Sequence, residues 1–114
     1  MRLNLKFNAT KVDEIEQVKK LPIENCIGDT SISSLVLFLQ KGLIDDNEQW
    51  GVSKTVAIET IDRFLEEEDK DELVFQIIEA LINGGFLSRE LDVEKLRTAS
   101  KKHQEKMQQV LNEV

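Results

Sequence analysis

Tyrosine is absent from this 114-residue chain, and cysteine, histidine, proline and tryptophan occur once each. The single Cys26 has no partner for an intramolecular disulfide, so a reducing compartment is the expected home. With one histidine and one cysteine, no nucleophile stands in a recognised catalytic setting, and nothing local joins Cys26 to His103. Cys26 is expected to pack as a small hydrophobe. No Cys/His pair has zinc spacing. The run Asp45-Asp46-Asn47-Glu48 opens like a calcium loop, but the positions that would need Gly and Glu hold Trp50 and Val56. Gly84-Gly85 runs into Phe86-Leu87-Ser88 rather than Lys-Ser or Lys-Thr, so it reads as a helix stop and not a phosphate cradle. No stretch approaches ~18 apolar residues, and Met1 to Thr10 lack the apolar run of a signal peptide. These absences set the expectations of no enzymatic activity, no metal, no cofactor and no membrane contact, in a cytoplasmic protein.

Excess positive charge is missing too. The 22 acids outnumber 15 bases for a net charge of −7, and such a chain repels phosphate backbones. A helix-turn-helix drawn around residues 52–65 would present Glu59, Asp62 and Glu66 to DNA, which is the wrong charge. Nucleic acid is therefore not an expected partner.

What is present is helix-forming sequence for one domain with one core. Glycine is scarce, with five residues, and 40% of the chain is hydrophobic. The expected fold is a mainly α domain of about four to five helices with one short N-terminal β-strand. Residues 2–8 alternate, with Leu3, Leu5 and Phe7 on one side, which predicts that half-buried strand. Thr10 followed by Asp13 predicts a first helix with Val12, Ile15 and Val18 on one face, ended by Pro22 and followed by a loop over 22–29. Asp29, Thr30 and Ser31 offer caps for a second helix with the stripe Ile32, Leu35, Val36 and Leu39, and Gly42 at its C′ position. A third starts at Ser53 and carries Val56, Ala57, Ile61, Phe64 and Leu65. The acidic run 66–72 opens a fourth, which buries Leu73, Val74, Ile77, Ile78, Leu81 and Ile82 and stops at Gly84-Gly85. Phe86 and Leu87 follow as core contacts.

The last segment differs in kind. Val93, Leu96, Ser100, His103, Met107, Val110 and Val114 recur at alternating spacings of three and four, a heptad seam with two polar positions. The expected organisation is thus a helical core over 1–88 and an amphipathic basic helix over 89–114, docking on its own core or on a partner. Charge is segregated along with it. Residues 45–72 hold eleven acids against three bases, while 89–106 hold six bases against four acids. Solvated helix faces are the plain reading of such runs; head-to-tail association of copies is the sharper one.

Protein contact is the function class that remains. A lone strand (Leu3, Leu5, Phe7) needs a partner, Trp50 beside Gly51 is either an anchor or a cover over the start of the third helix, and the seam supplies Leu96, Met107 and Val110. These seven residues are the candidate protein-binding set.

The order of blocks resembles a known family. A short N-terminal strand and helix lead to "S-I-S-S-L-V-L-F-L-Q-K-G-L" (Ser31 to Leu43), then an acidic loop, a helix opening "V-S-K-T-V-A-I-E-T-I-D" and a closing "I-I-E-A-L-I-N-G-G-F-L". Over about residues 1–88 this is similar to the tail assembly chaperones of long-tailed bacteriophages and prophages of Gram-positive hosts. The resemblance implies a mainly helical, non-enzymatic protein of the host cytoplasm that is absent from the finished virion. It also implies the partners: the tape measure protein, which such chaperones coat and keep soluble; tail tube subunits, which they help recruit; and further copies, in a ring or spiral. The family has no catalytic motif, so no site residue is carried over from it. The alternative is a small acidic adaptor, or an acidic DNA mimic acting through the carboxylates of 45–72.

Overall fold

The computed structural model describes residues 1–99. Five helices are α1 (Ala9–Lys19), α2 (Ile23–Cys26), α3 (Ile32–Gly42), α4 (Lys54–Glu67) and α5 (Lys70–Asn83). A sixth, α6, covers described residues 93–99.

Polar side chains start each long helix. Ser31 caps α3 by accepting from the Ser34 N–H, Ser53 caps α4 by accepting from the Val56 N–H, and Asp69 caps α5 by accepting from the Glu72 N–H. Asn8 does this for α1, accepting from the Lys11 N–H at 2.9 Å, so the helix begins upstream of Thr10. It ends at Lys20, whose φ of 58° is left-handed. Val12 and Ile15 are buried, but Val18 is 62% exposed, one turn before the chain swings away. Within the expected loop over 22–29, Pro22 opens the short α2, and the Glu16 carboxylate accepts from the Ile23 N–H at 2.8 Å.

Alternation at the N-terminus does not produce a strand, and no β-strand occurs among the described residues. One antiparallel bridge joins Leu5 to Leu43, with Lys6 N–H donating to Gly42 O and Ile44 N–H to Asn4 O, both at 2.9 Å. Among the described residues the only other bridge joins Ile44 to Trp50. The reason is the length of the partner. Residues 43–45 lie between the end of α3 and a turn whose Asp45 carboxylate accepts from the N–H groups of Asn47 and Gln49. No ladder can grow there. Farther upstream a side chain takes the place of a neighbouring strand: Gln76 of α5 accepts from the Leu3 N–H and donates to the Met1 carbonyl, each at 2.9 Å. Burial still follows the alternation, since Phe7 is in the core and Leu3 and Leu5 pack partly against it.

Gly42 also departs from expectation. The helix includes it, Leu43 forms the C-cap with an ordinary φ of −74°, and Gly42 is not left-handed. Its need is space: a Cβ there would lie 2.4 Å from Phe7 Cζ. The Phe7 ring meets Phe38 edge-on, with centroids 6.1 Å apart, so Gly42 lets the N-terminal segment into the core.

Helix α3 packs against both α1 and α4. Leu39, Phe38, Phe64, Leu73 and Leu81 fill the centre, joined by Ile15 and Cys26. In α4 the buried residues are Ala57, Thr60, Ile61 and Phe64, whereas Val56 and Leu65 are exposed. Val74 and Ile82 of α5 are partly buried, and Gln76 takes a place among the buried residues instead. Gly85, with φ of 84°, turns the chain after α5 and brings Leu87 back to the core.

Candidate functional site

Two surfaces carry the candidate residues. The first surrounds Trp50, which is half-buried. Its indole N–H donates to the Lys6 carbonyl at 2.8 Å, and the Lys6 ammonium lies 5.7 Å from its ring centroid. Trp50 thus clasps the N-terminal segment on which Leu3, Leu5 and Phe7 sit. Beside it opens a trough of about 560 Å³ lined by Lys11 of α1, Gln40 and Lys41 of α3, and Val56 of α4. Lys41 pairs with Glu14 at 2.8 Å, which draws the Glu14 carboxyl below its ordinary pKa. The Trp50 side chain is therefore both a tie to the N-terminus and one wall of an open groove over the start of α4.

The second surface is α6 against α5. Val93 is 8% exposed and joins the core, while Leu96 is 40% exposed. Arg97 holds the helix down. Its Nε donates to both Glu72 carboxylate oxygens at 3.1 and 2.9 Å, and its Nη1 pairs with Glu79 and Glu94. The guanidinium also lies 6.0 Å from the Phe75 ring centroid. Glu72, foremost, and then the other carboxylates raise the Arg97 pKa above its usual range, outweighing the cost of burial, so it stays charged. Arg2 shares Glu79 with it, which ties the N-terminal segment to the same point.

The structure therefore ties Trp50 to the segment that carries Leu3, Leu5 and Phe7, with Phe7 itself buried in the core and Leu3 held by Gln76, and sets Leu96 on α6. Met107 and Val110 lie outside the described residues. Sequence reasoning missed Gln76, Arg97, Lys6 and Lys11. A trace existed for Arg97, because Glu72 and Glu79 stand seven apart on one face of α5 and ask for a shared cation.

Other chemistry has little to build on. Cys26 is fully buried, its Sγ faces the Leu21 carbonyl at 3.4 Å, and burial raises its pKa. Among the described residues no group of three His, Cys, Asp or Glu side chains could hold a metal ion, and no helix is long and apolar enough to cross a membrane. A small cavity of about 10 Å³ between Phe38 and Ile77 is about the size of one water. No family model, curated protein sequence or solved structure matches the chain.

Proposed function

We propose that the chain is a phage tail assembly chaperone. It coats and solubilises the tape measure protein, helps recruit tail tube subunits and self-associates into a ring or spiral around its client in the host cytoplasm. No enzymatic step is part of this reading.

The observation that supports it is the division of labour on α6. Val93 and Arg97 fix the start of the helix on α5, while Leu96 and the preceding Leu91 remain about two-fifths exposed. The sequence continues the same seam through Met107 and Val110. An anchored helix start with Leu91 and Leu96 exposed beside it suits an amphipathic helical client, which docks its own apolar face against such residues. The net charge of −7 keeps the coated assembly soluble. The order of sequence blocks that resembles the chaperone family points the same way.

The test is co-expression with a phage tape measure protein, comparing the wild type with Leu96→Asp and with Met107→Asp/Val110→Asp. The wild type should keep the client soluble and the seam variants should lose it while retaining their helical circular dichroism. Equal rescue by all of them contradicts the reading.

A further inference from the structure

One stripe of α5 holds both the N-terminal segment and α6. At about 100° per residue, Glu72 and Glu79 lie between Phe75 on one side and Gln76 on the other, all within about 100° of arc. Gln76 takes the N-terminal segment, through the Leu3 N–H and the Met1 carbonyl. Phe75 lies under the Arg97 guanidinium of α6. Glu79, between them, serves both: its Oε1 meets Arg97 Nη1 and its Oε2 meets Arg2 Nη2. The two arms are held unequally. The N-terminal segment has further ties in the pairing of the Met1 ammonium with Glu68, the Trp50 indole on the Lys6 carbonyl and the buried Phe7. Among the described residues of α6, Val93 alone is buried and Arg97 is half-buried, while the others are exposed.

When Arg97 lifts away, each side of the broken contact keeps a partner. Glu94 leaves on the same helix, still paired with Arg97, and Arg2 stays on α5, still paired with Glu79. One cation and one carboxylate depart together, so the net charge left at the stripe is unchanged. Glu72 is the group that loses its bonds, and its side chain is 24% exposed, within reach of water. The two costs of breaking a buried ion pair, an unpaired charge and its desolvation, are thereby reduced. We propose that the start of α6 is a strap that opens from α5 while the rest of the fold stays closed, with Arg2 as the standby cation that takes over Glu79. Opening uncovers the Phe75 ring and frees Val93 beside the exposed Leu91 and Leu96. Arg2 competes with Arg97 for Glu79 when the strap is shut and keeps Glu79 paired when it is open, so Arg2 favours the open state. The two arms oppose each other rather than cooperate. This goes beyond the proposed function, and its test uses this chain alone, so its failure leaves client binding to be judged separately.

The experiment is hydrogen exchange followed by NMR on the full chain. It is read at the Arg97 Nε–H, which donates to Glu72, the Leu96 N–H, which donates to Asp92 O, and the Leu3 N–H, which donates to Gln76. Arg2→Gln removes the standby charge and should slow exchange at Arg97 and Leu96 by about threefold, the scale of one exposed charge pair. Arg97→Met should speed exchange at Leu96 by about tenfold or more and leave Leu3 within about twofold of the wild type. If Arg97→Met fails to fold, Arg97→Lys, which cannot grip both Glu72 oxygens, serves instead with the same directions. Faster or unchanged exchange at Arg97 in Arg2→Gln would overturn the proposal, because the arms would then be cooperative or independent. Loss of protection at Leu3 in either Arg97 variant would overturn it too, because the strap would not open alone.

Discussion

The Trp50 indole nitrogen reaches the main-chain oxygen of Lys6 at 2.8 Å, across 44 residues of sequence. Through that bond the loop before α4 holds the extended N-terminal segment against α3. Removing the donor while keeping an aromatic ring isolates its contribution. Trp50→Phe should destabilise the fold by about 1–2 kcal/mol, because the Lys6 carbonyl loses its partner. Urea denaturation followed by circular dichroism reads the loss directly; no change in midpoint would show that the bond does not hold the segment.

The Phe7–Gly42 approach gives a prediction with an unusual sign structure. Alanine is normally better than glycine inside a helix by about 0.5–1 kcal/mol. Here the added methyl would meet the Phe7 ring at 2.4 Å, so Gly42→Ala should cost about 1–3 kcal/mol instead. Shrinking the ring should relieve it. In a double-mutant cycle with Phe7→Leu, the two losses should sum to more than the measured loss of the pair. Strict additivity would mean that the close approach is not what fixes Gly42.

Ser34 is 2% exposed, and its hydroxyl has no hydrogen-bond partner among the described residues. Burying an unpaired hydroxyl costs free energy, and alanine removes the hydroxyl while favouring the helix. Ser34→Ala should therefore stabilise the protein by roughly 1 kcal/mol, raising the melting temperature by about 4–8 °C. A lower melting temperature would indicate that the hydroxyl is satisfied in solution.

Asp29 supplies a pH-dependent test. The Lys19 ammonium, then the Ser31 groups, hold its carboxyl at about 2, below the ordinary 3.8. A depressed folded-state value means that its stabilising contribution is complete above the unfolded value and is lost as pH falls toward the folded one. Between about pH 4 and pH 2, wild-type stability should therefore fall more steeply than that of Asp29→Asn. Carboxyl-carbon NMR of Asp29 should titrate near 2; an ordinary midpoint would remove the premise.

The sequence made the helices legible wherever a cap and a stripe coincided. Ser31 and Ser53 precede apolar repeats and start α3 and α4 as expected. Asn8 was hidden because it closes the alternating run 2–8, so the start of α1 was read at Thr10. That alternation correctly told which side chains go inward, but period two says nothing about whether a partner strand is long enough to pair. Only the turn held by Asp45 decides that. Gln76 left no sequence signal, being a polar residue between Phe75 and Ile77 whose role depends on the Leu3 N–H and Met1 carbonyl from the far end of the chain. Gly42 looked like a helix stop because glycine often is one; its close contact with Phe7 is a tertiary fact. Of the candidate surface, the sequence named Trp50 and Leu96 but not the lysine over the indole, because Lys6 reaches it only after the N-terminal segment folds across α3.

The central claim is tested most directly by the mass of the complex with the tape measure protein. The chain and that protein are co-expressed, and the co-purified material is passed through size exclusion with light scattering. The account predicts co-elution with many copies of the chain per client, from a client that is insoluble when expressed alone. A monomer or simple dimer eluting beside an aggregated client, or a fixed one-to-one complex, would contradict it and favour the small acidic adaptor.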